Sequence, residues 1–235
     1  MTPLPFALPQ GPVLVIAPHP DDETLGCGGL IAASVRAGHR VHTVFVTEGG
    51  ASHPACRSWT RPERAAQREA EAEEALRRLG AGDEPRTFLR LPDAAMPEPG
   101  AAAYREAMAT LVRIIDGLRP ALAVLPWRRD PHCDHRASWS LATAAIAASG
   151  LSPALLEYAI WLDELGDPDD RPRAGEMDRV AFAVPDGVKR EALRAHRSQL
   201  GEPVFDDPAG FALEPATIAR LTGPEEIYWR PCSAG

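Results

Sequence analysis

Short apolar runs alternate with longer amphipathic segments over roughly the first two thirds of the chain. The apolar runs are bounded by turn residues, as buried strands are. They lie at residues 12–17, 41–47, 86–91 and 121–125. The segments that follow them carry helix-forming side chains and end near glycine or proline. These predicted helices span residues 22–37, 63–79, 101–118 and 136–148. Four successive strand–helix units predict an α/β fold, with a mostly parallel sheet covered by helices on both faces.

The last third of the chain is less regular. Its predicted elements are strands at residues 155–161, 179–184 and 227–230 and a helix at residues 186–199. Residues 163–175 are acidic and contain proline, which predicts an exposed loop. Because no repeat, low-complexity tract or linker interrupts the sequence, residues 1–235 are predicted to form one domain with a smaller, irregular C-terminal part.

Charge and cysteine usage narrow the class of function. The 25 basic and 33 acidic residues give a net charge of −8, which argues against a nucleic-acid or anionic-membrane partner. No apolar run reaches the length of a membrane span, and residues 1–10 lack the features of a secretory signal. The four cysteines form no CxxC pair, which argues against a disulfide scaffold or a thiolate zinc finger. We therefore expect a cytoplasmic protein.

Two polar segments, each following a predicted strand, carry the candidate chemistry. Residues 19–23 read HPDDE and residues 132–135 read HCDH. Ligands of parallel sheets bind beyond the carboxyl ends of the strands, so we expect the two segments to lie at one edge. Taken separately, each has a structural explanation, because carboxylates are favoured at helix N-termini and surface histidines are common. Together they indicate a zinc-dependent hydrolase.

The residue types suggest a division of roles. Zinc sites commonly combine histidine and carboxylate ligands, and His19, Asp22 and His135 make such a set. The adjacent Asp21 points elsewhere and is predicted to be the general base for a water whose pKa the metal lowers from about 15.7 to roughly 7. His132 is predicted to stabilise the oxyanion and to protonate the leaving amine.

Asp134 has a supporting role in this scheme. Since it lies two residues after His132, it is predicted to hold that histidine in its charged form. Zinc is the expected ion, and iron(II) is the alternative.

Residues 17–23 (APHPDDE) and the pattern His132-x-Asp134-His135 resemble the PIG-L/LmbE-like metal-dependent de-N-acetylases. The resemblance implies a Rossmann-like α/β fold and removal of an acetyl group from N-acetylglucosaminyl compounds. It implies the same metal ligands, base and electrophilic histidine as the residue chemistry does, and it implies that homo-oligomers are common.

Weaker similarities extend the resemblance along the chain. Arg68 and Asp93 lie in segments that look like the family's substrate-binding segments, although a solvated helix charge and a turn residue explain them equally well. The pattern His196-x-Ser198-Gln199 is similar to a C-terminal signature of the family whose role does not follow from the sequence.

The sequence also departs from the family. Cys133 stands where many members have proline, and Asp130 lies where some members have a substrate-facing tyrosine. The first change affects the stiffness of the loop, and the second removes a phenol that would assist at the oxyanion.

The sequence is thus interpreted as a zinc-dependent amidohydrolase that removes an acetyl or acyl group from an N-acetylglucosamine-type amino sugar or glycoside. Two other functions stay open at this point. One is a non-catalytic metal- or carbohydrate-binding module, which would have no need of the extra carboxylate of Asp21. The other is a nucleotide-binding Rossmann protein, suggested by the glycines at residues 26–29, whose spacing is not GxGxxG. The sequence does not identify the natural substrate.

Overall fold

The computed structural model describes residues 3–202 and 204–232. Within them the chain forms eight strands, which are β1 (Leu4–Pro5), β2 (Val13–Ala17), β3 (Val41–Thr47), β4 (Arg86–Leu91), β5 (Leu122–Pro126), β6 (Ala154–Tyr158), β7 (Met177–Ala183) and β8 (Glu225–Pro231). The strands belong to one sheet in the order β1-β7-β8-β6-β5-β2-β3-β4. Neighbouring strands pair in parallel except for β8, which is antiparallel to both β6 and β7. The predicted α/β class with a mostly parallel sheet is confirmed.

Helices cover both faces of the sheet. They are α1 (Asp22–Arg36), α2 (Arg61–Arg78), α3 (Ala102–Leu118), α4 (Cys133–Ser149), α5 (Val188–Leu193) and α6 (Pro215–Leu221). Every residue of the central strand β2 is buried, and its side chains alternate between the two layers. Val13 and Val15 join the hydrophobic cluster of α1, α2 and α5, whereas Leu14 and Ile16 join that of α3 and α4. Burial of each such side chain stabilises the fold by about 1.5–3 kcal/mol, so β2 and its two connections are firmly placed.

Two glycines allow α1 to lie unusually close to the sheet. A Cβ atom on Gly26 would lie 2.3 Å from Cδ2 of the buried Tyr158, and one on Gly29 would lie 2.6 Å from Cγ2 of Val184. These glycines therefore serve helix–sheet packing rather than nucleotide binding. The close approach places the first turn of α1, with its carboxylates, at the carboxyl edge of the sheet.

The predicted elements of the first two thirds are all present, with ends that differ by a few residues. The predicted helix at 186–199 is wrong in extent: α5 ends at Leu193, and a separate 3₁₀ turn forms at Arg197–Gln199. Between them His196 adopts φ −81° and ψ 56°, so that its buried ring reaches Glu23 of α1. The tertiary contact interrupts the helix.

Three other features differ from the sequence-based expectation. The strand predicted at 155–161 ends at Tyr158, because the backbone N–H groups of Ile160 and Trp161 donate to the Asp130 carboxylate instead of a neighbouring strand. Strand β1 and helix α6 were not predicted, since both are too short for a clear periodic pattern. Among the described residues, no helix has the length and apolar character that crossing a membrane requires.

We expect Gly26→Ala to lower the free energy of unfolding by about 1–3 kcal/mol, because the added methyl group must displace the Tyr158 ring or α1. Thermal or urea unfolding measures the change. Gly117→Ala is the matched control: apart from its chain neighbours and its own helix backbone, no described atom lies within 4 Å of a Cβ on this glycine of α3. Alanine there is expected to stabilise by up to about 1 kcal/mol. Equal effects of the two substitutions would show that α1 does not depend on the glycine for its position.

Candidate metal and catalytic site

The two polar segments meet beyond the carboxyl ends of β2 and β5, which are neighbours in the sheet. A cavity of about 350 Å³ opens at this edge. Its lining comprises His19, Asp21, Asp22, Leu25, Ala51, Ser52, Arg68, Asp93, Ala94, His132, Trp161, Leu165, Gln199 and Phe211. Six of the eight sequence-predicted site residues line the cavity, and the remaining two, Asp134 and His135, lie directly behind it, in contact with His19 and Asp22.

The Asp22 carboxylate connects the two segments. Its Oδ2 atom lies 3.2 Å from Nδ1 of His19 and 3.3 Å from Nε2 of His135. The same oxygen accepts a hydrogen bond from the backbone N–H of His19 at 2.9 Å. The three side chains predicted as metal ligands therefore converge on one region, although they come from distant parts of the sequence.

The electrostatics of His135 fit a bound cation. Its ring is fully buried, and neither ring nitrogen has a well-oriented hydrogen-bond partner in the described part of the chain. Burial disfavours the imidazolium, but the carboxylates of Asp22 and Asp130 outweigh this effect and raise the pKa of His135 to about 9. Burial by itself would raise the pKa of Asp22, yet the two imidazoles lower it. A buried carboxylate between two imidazoles, one of them without a hydrogen-bond partner, is a suitable donor set for a divalent ion.

His132 lies close to the same point. Its ring centroid is 4.8 Å from that of His19 and 5.2 Å from that of His135. One ligand atom from each of the three histidines lies within 4.8 Å of the others, so distance alone does not separate His132 from the predicted ligands. Nδ1 of His132 accepts a hydrogen bond from the Asp134 backbone N–H at 3.2 Å, which caps α4. Burial, together with repulsion from the other two imidazoles, lowers the pKa of His132 to about 4.

Asp134 differs from its predicted role. Its carboxylate lies 3.1 Å from Nε2 of His19 and accepts a hydrogen bond from the Ala94 backbone N–H at 2.7 Å. Its hydrogen bond to His132 comes from the backbone N–H, not the carboxylate. The prediction that the Asp134 carboxylate holds His132 in its charged form is therefore corrected: at the start of α4 this side chain turns inward, toward His19.

Asp21 is buried beside the ligand cluster and is held by Arg68. Its Oδ2 atom lies 3.1 Å from Nη2 of that arginine. Burial raises the pKa of Asp21, and the Arg68 guanidinium only partly opposes the rise. A buried carboxylate with a raised pKa, located next to candidate metal ligands, is suited to accept a proton.

Arg68 and Asp93 both belong to the cavity. Arg68 is buried and donates to the carbonyl oxygens of Gly49 and Pro20 at 2.9 and 3.0 Å, which excludes a solvated helix charge.

Asp93 is also buried. One of its oxygens lies 3.3 Å from Nε2 of His19, and the other accepts the Ala51 backbone N–H at 2.9 Å. Their predicted contact with substrate stays a prediction.

Asp130 is a functional candidate that the sequence reasoning did not assign. It is completely buried, and its Oδ2 atom lies 3.5 Å from Nδ1 of His135. It also accepts backbone hydrogen bonds from Ile160, Trp161 and His132, at 3.1, 3.2 and 3.0 Å. An aspartate two residues before the HCDH segment was the available signal, but only the fold shows which histidine it supports.

The residues of the C-terminal signature, His196, Ser198 and Gln199, connect the segment after α5 to two helices. Nε2 of His196 lies 3.0 Å from Oε1 of Glu23, behind the first turn of α1. Ser198 donates to Glu71 of α2 at 2.6 Å, and Gln199 donates to Ser198 at 2.9 Å. These residues fix the segment after α5 against α1, which carries Asp22, and α2, which carries Arg68.

Comparison with known proteins agrees with this architecture. The PIG-L family model, described as GlcNAc-PI de-N-acetylase, matches residues 14–146. A 1D-myo-inositol 2-acetamido-2-deoxy-alpha-D-glucopyranoside deacetylase of Mycolicibacterium vanbaalenii is 32% identical over 92% of this chain and 89% of its own length. An Actinosynnema mirum protein of the same description is 31% identical, over 92% and 90%. Among solved structures, the N,N'-diacetylchitobiose deacetylase of Pyrococcus horikoshii superposes with a TM-score of 0.64 and 27% identity, covering 93% of this chain and 83% of that one.

Asp130 is expected to orient His135, so Asp130→Asn should weaken metal affinity by about 10–100-fold, as loss of a residue that supports a metal ligand does. Competition with a chromogenic chelator measures the affinity, and circular dichroism checks the fold. Asp116→Asn, on the exposed side of α3, is the control. Unchanged affinity in Asp130→Asn would remove this residue from the support of the site.

Proposed function

The chain belongs to the PIG-L family of de-N-acetylases, and from this membership and the geometry of the site we propose that it is a metal-dependent hydrolase of the N-acetyl group of an N-acetylglucosamine-type amino sugar or glycoside. The observation that carries the proposal is the position of the Asp22 carboxylate between His19 and His135, with the separate carboxylate of Asp21 beside them. The curated relatives act on a glucosaminide of inositol, which makes that compound the first substrate to test.

His19, Asp22 and His135 are the proposed metal ligands. Two imidazoles and one carboxylate form a common catalytic zinc set, and we propose zinc, with iron(II) as the alternative to be tested by metal reconstitution. When bound, such an ion activates water and polarises the amide carbonyl.

Asp21 is the proposed general base. Its raised pKa allows it to take a proton from the attacking water, and Arg68 keeps the carboxylate oriented toward the cavity. A non-catalytic binding module would have no use for this second, separately held carboxylate.

His132 is the proposed electrophilic partner, and its hydrogen bonds define how it acts. Because Nδ1 accepts the Asp134 backbone N–H, the neutral ring carries its proton on Nε2. A neutral donor of this kind can stabilise the carbonyl oxygen as negative charge develops there. A neutral imidazole that lost its Nε2 proton would become an imidazolate, so the acid role predicted for His132 would require the imidazolium. The proton that Asp21 takes from water is instead available for the leaving amine.

The remaining assignments are proposals of the same kind. Arg68 and Asp93 are proposed to contact the sugar, because both line the cavity. Residues 1–235 are proposed to form one domain, since the strands of both parts share a sheet. The cytoplasmic location and the homo-oligomeric state stay predictions.

We expect release of a primary amine from N-acetylated glucosaminides, abolished by chelation and restored by zinc or iron(II). Fluorescamine detection measures the amine. Asp21→Asn should retain the metal and lower turnover by about 10²–10⁴-fold, because the proton acceptor is lost. Unchanged turnover in this variant would exclude Asp21 as the base. Metal binding without release of amine from any amino sugar would favour the binding module.

Substitutions of the two histidines in the HCDH segment should differ in their effects on metal affinity and on turnover. His135→Ala is expected to weaken metal binding by more than about 100-fold, beyond the cost of losing a supporting residue. His132→Ala is expected to keep the metal and to lower kcat/KM by about 10²–10³-fold, as loss of an oxyanion donor does. Metal content after dialysis and steady-state kinetics provide the two readouts. If His132→Ala lost the metal and His135→Ala kept it, the proposed roles would be reversed.

A further inference from the structure

The cavity has two unlike walls. One is charged, with the candidate ligands, Asp21, Arg68 and Asp93. The other is mainly apolar and includes Trp161, Leu165 and Phe211. A sugar ring with its amide requires the charged wall. A substrate that filled the whole cavity would also have to cover the apolar one.

Leu165 is the most informative member of this wall. Its relative exposure is 65%, and the only other large hydrophobic residue classed as exposed in the described part of the chain is Leu4, at 49%. A single exposed leucine is ordinary on a protein surface. Leu165, however, lies at the rim of the candidate active-site cavity, whose lining it shares with two aromatic rings.

The apolar wall is held in place from several directions. The Trp161 and Phe211 rings meet edge to face, with centroids 5.8 Å apart. The backbone N–H of Trp161 donates to Asp130, that of Phe211 to the Ser52 carbonyl at 2.9 Å, and that of Leu165 to the Trp161 carbonyl at 2.9 Å. The wall is thus built into the fold, and through Asp130 it is connected to His135.

The turn that carries Leu165 is also anchored. Gly166 lies so close to the preceding turn that a Cβ atom would be 2.5 Å from the Leu162 carbonyl oxygen. Arg220 donates to the Ile160 carbonyl at 2.6 Å and forms an ion pair with Glu164 at the same distance. The exposed leucine is therefore presented on a braced segment.

We propose that Trp161, Leu165 and Phe211 form a subsite for an apolar alkyl or aryl substituent of the substrate, so that the preferred substrate is an amphiphilic amino sugar. This inference rests on the proposed function and specifies its substrate class. A polyol such as inositol would exchange its hydration for apolar contacts on this wall, which disfavours it. An alkyl or aryl group would gain from the same exchange.

Binding of alkyl glucosides tests the subsite without depending on deacetylation. Titration calorimetry of the zinc-loaded protein with methyl, butyl and hexyl β-D-glucosides measures the Kd. We expect the Kd to fall by about two- to fourfold for each added methylene, the range that burial of apolar surface allows. Leu165→Ser and Phe211→Ala should flatten this dependence. Leu4→Ser, which alters the other exposed leucine, should leave it unchanged.

Measurements of turnover then show which part of the substrate carries the apolar substituent. One series lengthens the alkyl group at the anomeric carbon of N-acetylglucosamine, and the other lengthens the N-acyl group. A rise of kcat/KM in either series supports the subsite and shows which end of the substrate occupies it. A rise that persists in Leu165→Ser and Phe211→Ala contradicts it.

The outcomes separate this inference from the proposed function. If N-acetylglucosamine is deacetylated but Kd and kcat/KM do not depend on chain length, the subsite is wrong and the deacetylase proposal stands. If chain length strengthens binding but no amine is released, the subsite stands and the deacetylase proposal is wrong.

Discussion

The rest of the site depends on the burial of one carboxylate between two imidazoles. Asp22 is almost completely inaccessible to water, and an unpaired charge in that position would cost several kcal/mol. Its Oδ2 atom finds partners in His19, from its own segment, and in His135, which follows a different strand. This contact requires β2 and β5 to be adjacent and the first turns of α1 and α4 to face each other. The topology of the sheet is thus directly tied to the candidate chemistry.

Two further constraints bring the groups together. The glycines of α1 let the helix lie against Tyr158 and Val184, which fixes where its carboxylates emerge. Arg68 of α2 then links the segment at residues 19–23 to the loop after β3. It donates to the carbonyl oxygens of Pro20 and Gly49 and pairs with the carboxylate of Asp21. Gly49 has φ +64°, and a Cβ there would lie 2.7 Å from Nη1 of the arginine. The buried guanidinium of Arg68 therefore holds Asp21, residues 19–23 and the loop after β3 together.

Sequence reasoning recovered the parts of this arrangement that follow from local rules. Alternating apolar and helical segments predicted the parallel units, and because strand ends share an edge, His19 and His135 could be placed near each other. What it could not recover depends on side-chain direction. The carboxylate of Asp134 was expected on His132 but lies against His19, and only the orientation of the first turn of α4 decides between the two. Similarly, the contact of His196 with Glu23, which lies where the predicted helix is interrupted, joins residues 173 positions apart and has no local signal in the sequence.

The proposed reacting groups and the proposed apolar subsite lie in different parts of the chain. The candidate ligands, the base and the electrophile all lie between residues 19 and 135, within the region 14–146 that the family model matches. Trp161, Leu165 and Phe211 lie outside it, on irregular segments after β6. Reacting groups must keep a fixed geometry, and here they come from two short segments at the ends of neighbouring strands, whereas an apolar wall needs only shape and can be assembled from scattered residues. Asp130 joins the two, because the carboxylate that contacts His135 also holds the backbone of Trp161. Because that hydrogen bond uses the Trp161 backbone N–H, a side-chain change at Trp161 leaves it in place. The side chains of the proposed apolar subsite can therefore change without removing the support that Asp130 gives to the proposed ligand His135.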